Sequence, residues 1–245
     1  MKKLPSGTTL EIFDTLDSTS AEAKRRAEAG QAGPCWFLAL SQTAGYGRRG
    51  RGWEQRAGDF AGTLLFRPDA SLERWGQISF IVALALAASV DEVVGEDKVA
   101  LKWPNDVLIE GGKCAGVLLE NLGGSLSIGV GVNIVTAPEN MPYRVARLIG
   151  HAAPPPSPQT LLKSLDAHFW AFYGSWRAHG FAPIREAWLA RAVGLGAAVT
   201  VRLPHEEISG VFEDMDESGA LILRSGAGTR TIAAGEVFFA PRPKD

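Results

Sequence analysis

Three arginines and four glycines fall within thirteen residues in "SQTAGYGRRGRGW", residues 41–53. Glycines at 45, 47, 50 and 52 let the backbone take positive φ and bring N–H groups close to a ligand. Arg48, Arg49 and Arg51 supply forked donors that match carboxylate and phosphate oxygens. From composition alone the stretch reads equally as a solvated basic loop or as a cradle for an anion that orders when the anion arrives. It is not a P-loop, because no G-x-x-x-x-G-K-[ST] is present. A second cluster, "KWPND" at 102–106, sets Lys102, Asn105 and Asp106 at the end of a strand-like run. Lysine, amide and carboxylate there suit phosphate with Mg²⁺, although a Pro-Asn-Asp sequence read alone is more often a plain turn. In a third, "GGKCAGVLLE", Lys113 opens an alternating run where a lysine ordinarily faces solvent, and Cys114, with no His nearby in sequence to activate it as a nucleophile, alternates with polar positions as a core residue would. The four histidines lack metal-ligand spacing and there is no G-x-S-x-G elbow, which disfavours metal and serine hydrolases.

These residues need a scaffold. "TTLEIFDTL" predicts a strand and the segment from Asp17 to Gly30 a helix, with Thr19 and Glu22 as a capping box and Gly30 as the stop. "CWFLALS" and "GTLLFRP" predict strands on either side of the arginine loop, and residues 75–95 the long core helix. Its apolar run, 78–90, is too short to span a bilayer. Four strand-like runs follow, "VALKW", "DVLIE", "KCAGVLLEN" and "SLSIGVGVNIV", with turns at Gly111-Gly112 and Gly123-Gly124. The pattern lapses over 136–158. Ser157 and Pro158 then form an N-cap and N1 pair for a helix to Gly180, and "APIREAWLARA" predicts another. After Gly194, short strands separated by turn residues predict a small all-β barrel. The division is residues 1–193 and 194–245.

With 245 residues, 46% hydrophobic and a formal net charge of -2, the composition is that of a soluble globular protein with no general pull toward nucleic acid or an anionic membrane. An RNA-binding module reading the Gly-Arg loop is the contrasting class, and the acidic total charge weighs against it. Cys35 and Cys114 lie in apolar runs and predict buried free thiols in a reducing compartment; with no apolar leader at the N-terminus, the expectation is cytoplasmic.

Taken in order, "DSTS", "GYGRRGR", "KWPND", "KCAG" and "IGVGVNI" resemble the motifs of the biotin protein ligases, the enzymes that attach biotin to a lysine of biotin-dependent carboxylases. The resemblance covers nearly the whole chain. It implies an α+β fold: a class II synthetase-like, mixed and largely antiparallel sheet with flanking helices, plus a small C-terminal SH3-like β-barrel. It implies biotin and ATP as substrates, Mg²⁺, a biotinyl-5′-AMP intermediate, and a biotin carboxyl carrier domain as partner. Carried over by position, biotin is contacted by Ser18, Thr19, Ser20, Gln42, Gly45, Tyr46, Gly47, Arg48, Lys113, Gly116, Gly129 and Gly131. The nucleotide falls to Arg48, Arg49, Arg51, Trp53, Lys102, Asn105 and Asn133, with Mg²⁺ near Asp106. Arg48, Lys102, Asp106 and Lys113 are implied as catalytic. Tyr46 departs from the family pattern, which carries arginine there. "DSTS" begins at residue 17, so a ligase without a DNA-binding domain is expected, as a monomer or homodimer. A lipoate ligase or octanoyltransferase of the same fold is the nearest rival, and lacks the arginine loop and "KWPND".

Overall fold

The computed structural model describes residues 2–139, 141–152 and 154–239. In chain order the elements are β1 (Lys2–Lys3), β2 (Thr9–Phe13), α1 (Thr19–Glu28), β3 (Cys35–Ala39), β4 (Phe60–Phe66), α2 (Ile78–Val94), β5 (Val99–Lys102), β6 (Asp106–Ile109), β7 (Gly112–Asn121) and β8 (Leu126–Val132). They continue with α3 (Pro158–His179), α4 (Ala182–Leu189), β9 (Ala198–Arg202), β10 (Glu207–Met215), β11 (Leu221–Ser225), β12 (Gly228–Ile232) and β13 (Glu236–Phe239). The first eight strands form one sheet in the order β1-β2-β3-β4-β8-β7-β6-β5. All neighbours are antiparallel except β2 and β3, whose parallel pairing follows from the α1 crossover between them.

Strand alternation divides the side chains between two faces. On one face Trp36, Leu38, Leu64, Ile128 and Val130 join the main core with α2 and α3. Up to Val90 α2 is largely apolar on all sides because it is buried on all sides, and its charges, Asp91 and Glu92, fall in the last turn. With the helical turn before it, the apolar stretch runs Leu72–Val94, 23 residues; that is long enough to cross a membrane, but it is mostly buried inside the protein. On the other face Cys35, Phe37 and Leu65 pack under α1 through Ala23. Beyond α1 this face carries a row of small residues: Ala61 on β4 lies opposite Gly131 on β8, and Gly131 opposite Gly116 on β7, which in turn faces Asp106 on β6. Around this row of small residues, bordered by Leu118, Lys113 and Asp106, the uncovered sheet is hollow.

The α1 cap differs from the sequence expectation. Ser18, in extended conformation, accepts from the Ala21 amide, and Thr19 is the first helical residue. Thr19 is taken elsewhere, hydrogen-bonded to Gln42 and Thr63, and Glu22 binds Arg25 and Arg26 rather than closing a capping box. Ser157 caps α3 as expected, 3.1 Å from the Thr160 amide. β8 is paired on both sides, with β4 and β7, and so offers no free edge to a second subunit. The open edge at β5 is covered by the chain after α4, through Leu101 N–H to Arg191 O and Val193 N–H to Leu101 O, both 2.8 Å.

The C-terminal strands form a five-stranded antiparallel sheet, β12-β11-β10-β9-β13. This is an open sheet and not the closed barrel expected: β13 crosses to pair with β9, leaving β12 and β13 at opposite ends. The run "RTIAAGEVFF" breaks at residues 233–235, where the crossing starts. A register shift between Phe212 and Asp214 accommodates the bend of β10. The sheet is bolted to the large unit. Trp103 Nε1 donates to Gly219 O at 3.0 Å, Gln77 Nε2 to Glu217 O at 2.8 Å, and Arg185 pairs with Asp214. Gly219 has φ +90°, and a Cβ there would stand 2.2 Å from the Phe80 ring.

Gly219→Ala therefore combines backbone strain with a clash at the junction, and a loss of about 2 kcal/mol or more is expected. Urea unfolding checks this through the transition midpoint, and an unchanged midpoint would contradict the packing described.

Candidate active site

The hollow of the large sheet is a cavity of about 600 Å³. Its floor consists of Ala61, Gly116, Gly129 and Gly131, where side chains are absent for definite reasons. A Cβ on Gly131 would lie 2.2 Å from the Trp53 indole, and one on Gly129 would lie 2.7 Å from Ser20 Oγ. The glycines thus let an aromatic wall and an α1 hydroxyl come down to the backbone.

Ser18, Thr19, Ser20 and Gln42 form one end. The Gln42 amide oxygen accepts from Thr19 N at 2.7 Å and from its hydroxyl at 3.1 Å, and Thr63 donates to Thr19 Oγ1 at 2.8 Å. With its oxygen engaged, Gln42 presents Nε2 as a fixed donor. At the other end a bulge at Val107/Leu108 turns Lys113 over the floor. Its Nζ meets Asp106 Oδ1 at 2.6 Å. The two form a close ion pair, with the Asp106 carboxylate as the counter-charge of Lys113.

The arginine loop folds back on itself as a flap. Tyr46 bridges Gly52 across it, Gly47 N–H donates to Arg51 O at 2.8 Å, and Trp53 N–H to Gly45 O at 2.9 Å. Arg49 sits at the tip with φ 58°. Arg48 points inward, donating to Asn105 Oδ1 at 3.1 Å and to Gly235 O at 3.5 Å. Burial, followed by the neighbouring Arg49, pushes its guanidinium below the ordinary arginine value. Arg49 and Arg51 both pair with Glu236 on β13. On the opposite side the Tyr46 hydroxyl donates to Glu120 at 3.3 Å. Burial first, then the Glu120 charge, lifts this phenol to about 12, so it stays a neutral donor. Lys102, at the end of β5, is likewise shifted down, mainly by burial.

Of the residues expected from sequence, all but three line the cavity. Gly45 lies just behind it, where a Cβ would strike Gln42 and Trp53. Arg49 is turned toward Glu236. Asn133 is buried at the end of β8, donating to Ala146 O at 3.1 Å, and borders a separate small cavity of about 20 Å³ with Lys113 and Tyr143. Several lining residues were not anticipated. Met141, Tyr143 and Arg144 come from the stretch that looked patternless, and Glu236, Phe238 and Phe239 from the last strand of the other sheet. Backbone pairing of Lys113 with residues 144–146 brings the first group in; nothing local in the sequence announces it.

No group of three or more His, Cys, Asp or Glu suited to a metal ion occurs among the described residues. Asp106, the carboxylate expected near Mg²⁺, is paired with Lys113, so these residues do not build a resident metal site. Cys35 and Cys114 are buried free thiols, as expected. Burial raises them to about 11 and about 12, which leaves neither as a nucleophile.

Residues 13–134 match the Biotin/lipoate A/B protein ligase family, and residues 194–240 match the Biotin protein ligase C terminal domain. A biotin–[acetyl-CoA-carboxylase] ligase of Paracoccus denitrificans is 44% identical over 237 residues, covering 91% of this chain and 97% of the relative. Another, from Mycobacterium tuberculosis, is 33% identical and covers 93% and 88%. In fold the chain resembles the biotin protein ligase of Aquifex aeolicus, solved in complex with biotin and ATP, with a TM-score of 0.83, 24% identity, and 94% and 97% coverage.

Proposed function

The chain belongs to the biotin protein ligases, within the biotin/lipoate A/B protein ligase family, and we propose that the 600 Å³ cavity is where it joins biotin to ATP and then to protein. The enzyme uses ATP to attach biotin to a lysine of a biotin carboxyl carrier domain, through biotinyl-5′-AMP. The single observation that carries the site assignment is the convergence of Arg48, Arg51, Lys102 and Lys113 on one hollow with a backbone floor.

Biotin lies along the glycine floor of β7 and β8. Its ureido end faces Thr19 and the fixed Gln42 donor, and its carboxylate faces Lys113. The nucleotide lies under the flap, with Trp53 against it and its phosphates toward Arg48 and Lys102. In the first step a biotin carboxylate oxygen attacks the α-phosphorus and the bond to the β-phosphate oxygen breaks, releasing pyrophosphate. Two anions must meet and charge moves onto the leaving group, so cations held in a dry site lower the barrier. Mg²⁺ travels with the triphosphate as part of the substrate. In the second step a neutral acceptor amine attacks the mixed-anhydride carbonyl, and AMP departs as the amide forms. Asp106, held at the cavity beside Lys113, accepts from that amine and takes its proton. The flap keeps water from the acyl phosphate. Tyr46 replaces a charge with a neutral latch on Glu120, which leaves Arg48 as the main cationic clasp.

In this reading the open C-terminal sheet is an SH3-like unit starting at Gly194, and the enzyme is cytoplasmic, consistent with its buried free thiols.

Incubation with ATP, Mg²⁺, biotin and a carrier domain should place one biotin on a single lysine of the carrier, read by mass spectrometry; labelling with lipoate in preference to biotin would overturn the reading. Two variants separate the half-reactions. Arg48→Gly should release free biotinyl-AMP on the order of tenfold faster, whereas unchanged retention removes its clasp role. Asp106→Asn should slow transfer from preformed biotinyl-AMP by about 10²-fold or more, and normal transfer would eliminate it as proton acceptor.

A further inference from the structure

Phe238 and Phe239 are consecutive aromatics at the end of β13, yet they stay 36% and 40% exposed, while Val237 before them is buried. A small β sheet gains little from two exposed rings in succession. Both face the cavity of the other unit. The Lys102 ammonium lies 5.7 Å from the centre of the Phe238 ring and 5.6 Å from that of Phe239, within reach of a cation–π interaction.

Each ring is held from behind. Phe238 stacks on the Arg202 guanidinium at 4.5 Å. Arg202 sits diagonally across the β9–β13 pair and is tied to Glu207. Phe239 rests on Gly194, where a Cβ would stand 2.5 Å from its Cε1. Lys102 itself has no carboxylate salt bridge among the described residues; its cross-strand neighbour Asp106 attracts it only through space and is in contact with Lys113. An ammonium stripped of water needs some compensation. A carboxylate would neutralise it and compete with phosphate, whereas ring faces attract the cation and leave its N–H donors free.

We infer that Phe238 and Phe239 are positioning residues, through which the C-terminal sheet holds the Lys102 ammonium in place for the phosphates of ATP. This rests on the assignment of Lys102 to the nucleotide. The two rings act on ATP and not on biotin, which lies at the far side of the floor.

Steady-state kinetics of the full chain test it with the paired variants F238L/F239L and F238Y/F239Y, and with K102M as reference. The leucine pair should raise the KM for ATP about three- to tenfold, the scale of a desolvated cation–π contact, and leave the KM for biotin within about twofold. The tyrosine pair keeps the ring faces and should restore the ATP KM. In a K102M background the leucine pair should add less than about twofold. An unchanged ATP KM for the leucine pair, when K102M raises it, overturns the inference. So does an equal rise in both KM values, or a full additional rise on top of K102M, since either marks simple packing. If K102M leaves the ATP KM unchanged, the assignment of Lys102 to the nucleotide fails first and the inference with it. Thermal melting identifies a pair that fails to fold, and the single leucine variants then carry the same comparison.

Discussion

Four cationic side chains, Arg48, Arg51, Lys102 and Lys113, face one cavity, and much of the structure follows from having to hold them there before any anion arrives. Like charges at such spacing repel, and more strongly as the site becomes dry. They come from three segments, the flap, the end of β5 and the start of β7, and each meets a different counter-group. Lys113 has the Asp106 carboxylate, Arg51 the Glu236 carboxylate, Arg48 the Asn105 amide, and Lys102 two ring faces. The compensation runs from fully ionic to weakly polar. The weakly compensated pair, Arg48 and Lys102, are also the two whose charged forms burial disfavours, so an arriving polyphosphate gains most by pairing with them.

That arrangement makes the second sheet part of the first unit's chemistry. Strand β13 supplies Glu236 to the flap, the Gly235 carbonyl to Arg48, and two rings to Lys102. It can do so only because the junction is rigid, with Trp103, one residue after Lys102, hydrogen-bonded to Gly219 across it. The crossing of β13 to pair with β9 opens the sheet and delivers its last residues to the cavity.

The parts of the site legible in the sequence were those in which several chemical residue types sit close together. The arginine flap, "KWPND" and the Lys113 strand converge as their composition suggested, and the resemblance supplied the glycines of β8, which alone would read as weak strand formers. Parts made by tertiary approach were hidden. Tyr143 enters because residues 144–146 pair with Lys113, and Phe238 and Phe239 read as the end of an ordinary strand. Thr19 was taken for a cap because its local spacing to Glu22 fits one; a hydrogen bond to Gln42, twenty-three residues away, decided otherwise. Asn133, matched by the resemblance to the nucleotide, donates its side-chain amide to the Ala146 carbonyl thirteen residues on. Local spacing reports local options, and long-range partners choose among them.

In the proposed reaction the cations around the hollow bring a carboxylate against a phosphate, and isotope exchange between ATP and labelled pyrophosphate, with no carrier domain present, measures that meeting most directly. The account predicts negligible exchange with ATP alone, exchange once biotin is added, and little with lipoate. Exchange that proceeds equally without biotin would contradict it, because the carboxylate would then not be what the site brings to ATP.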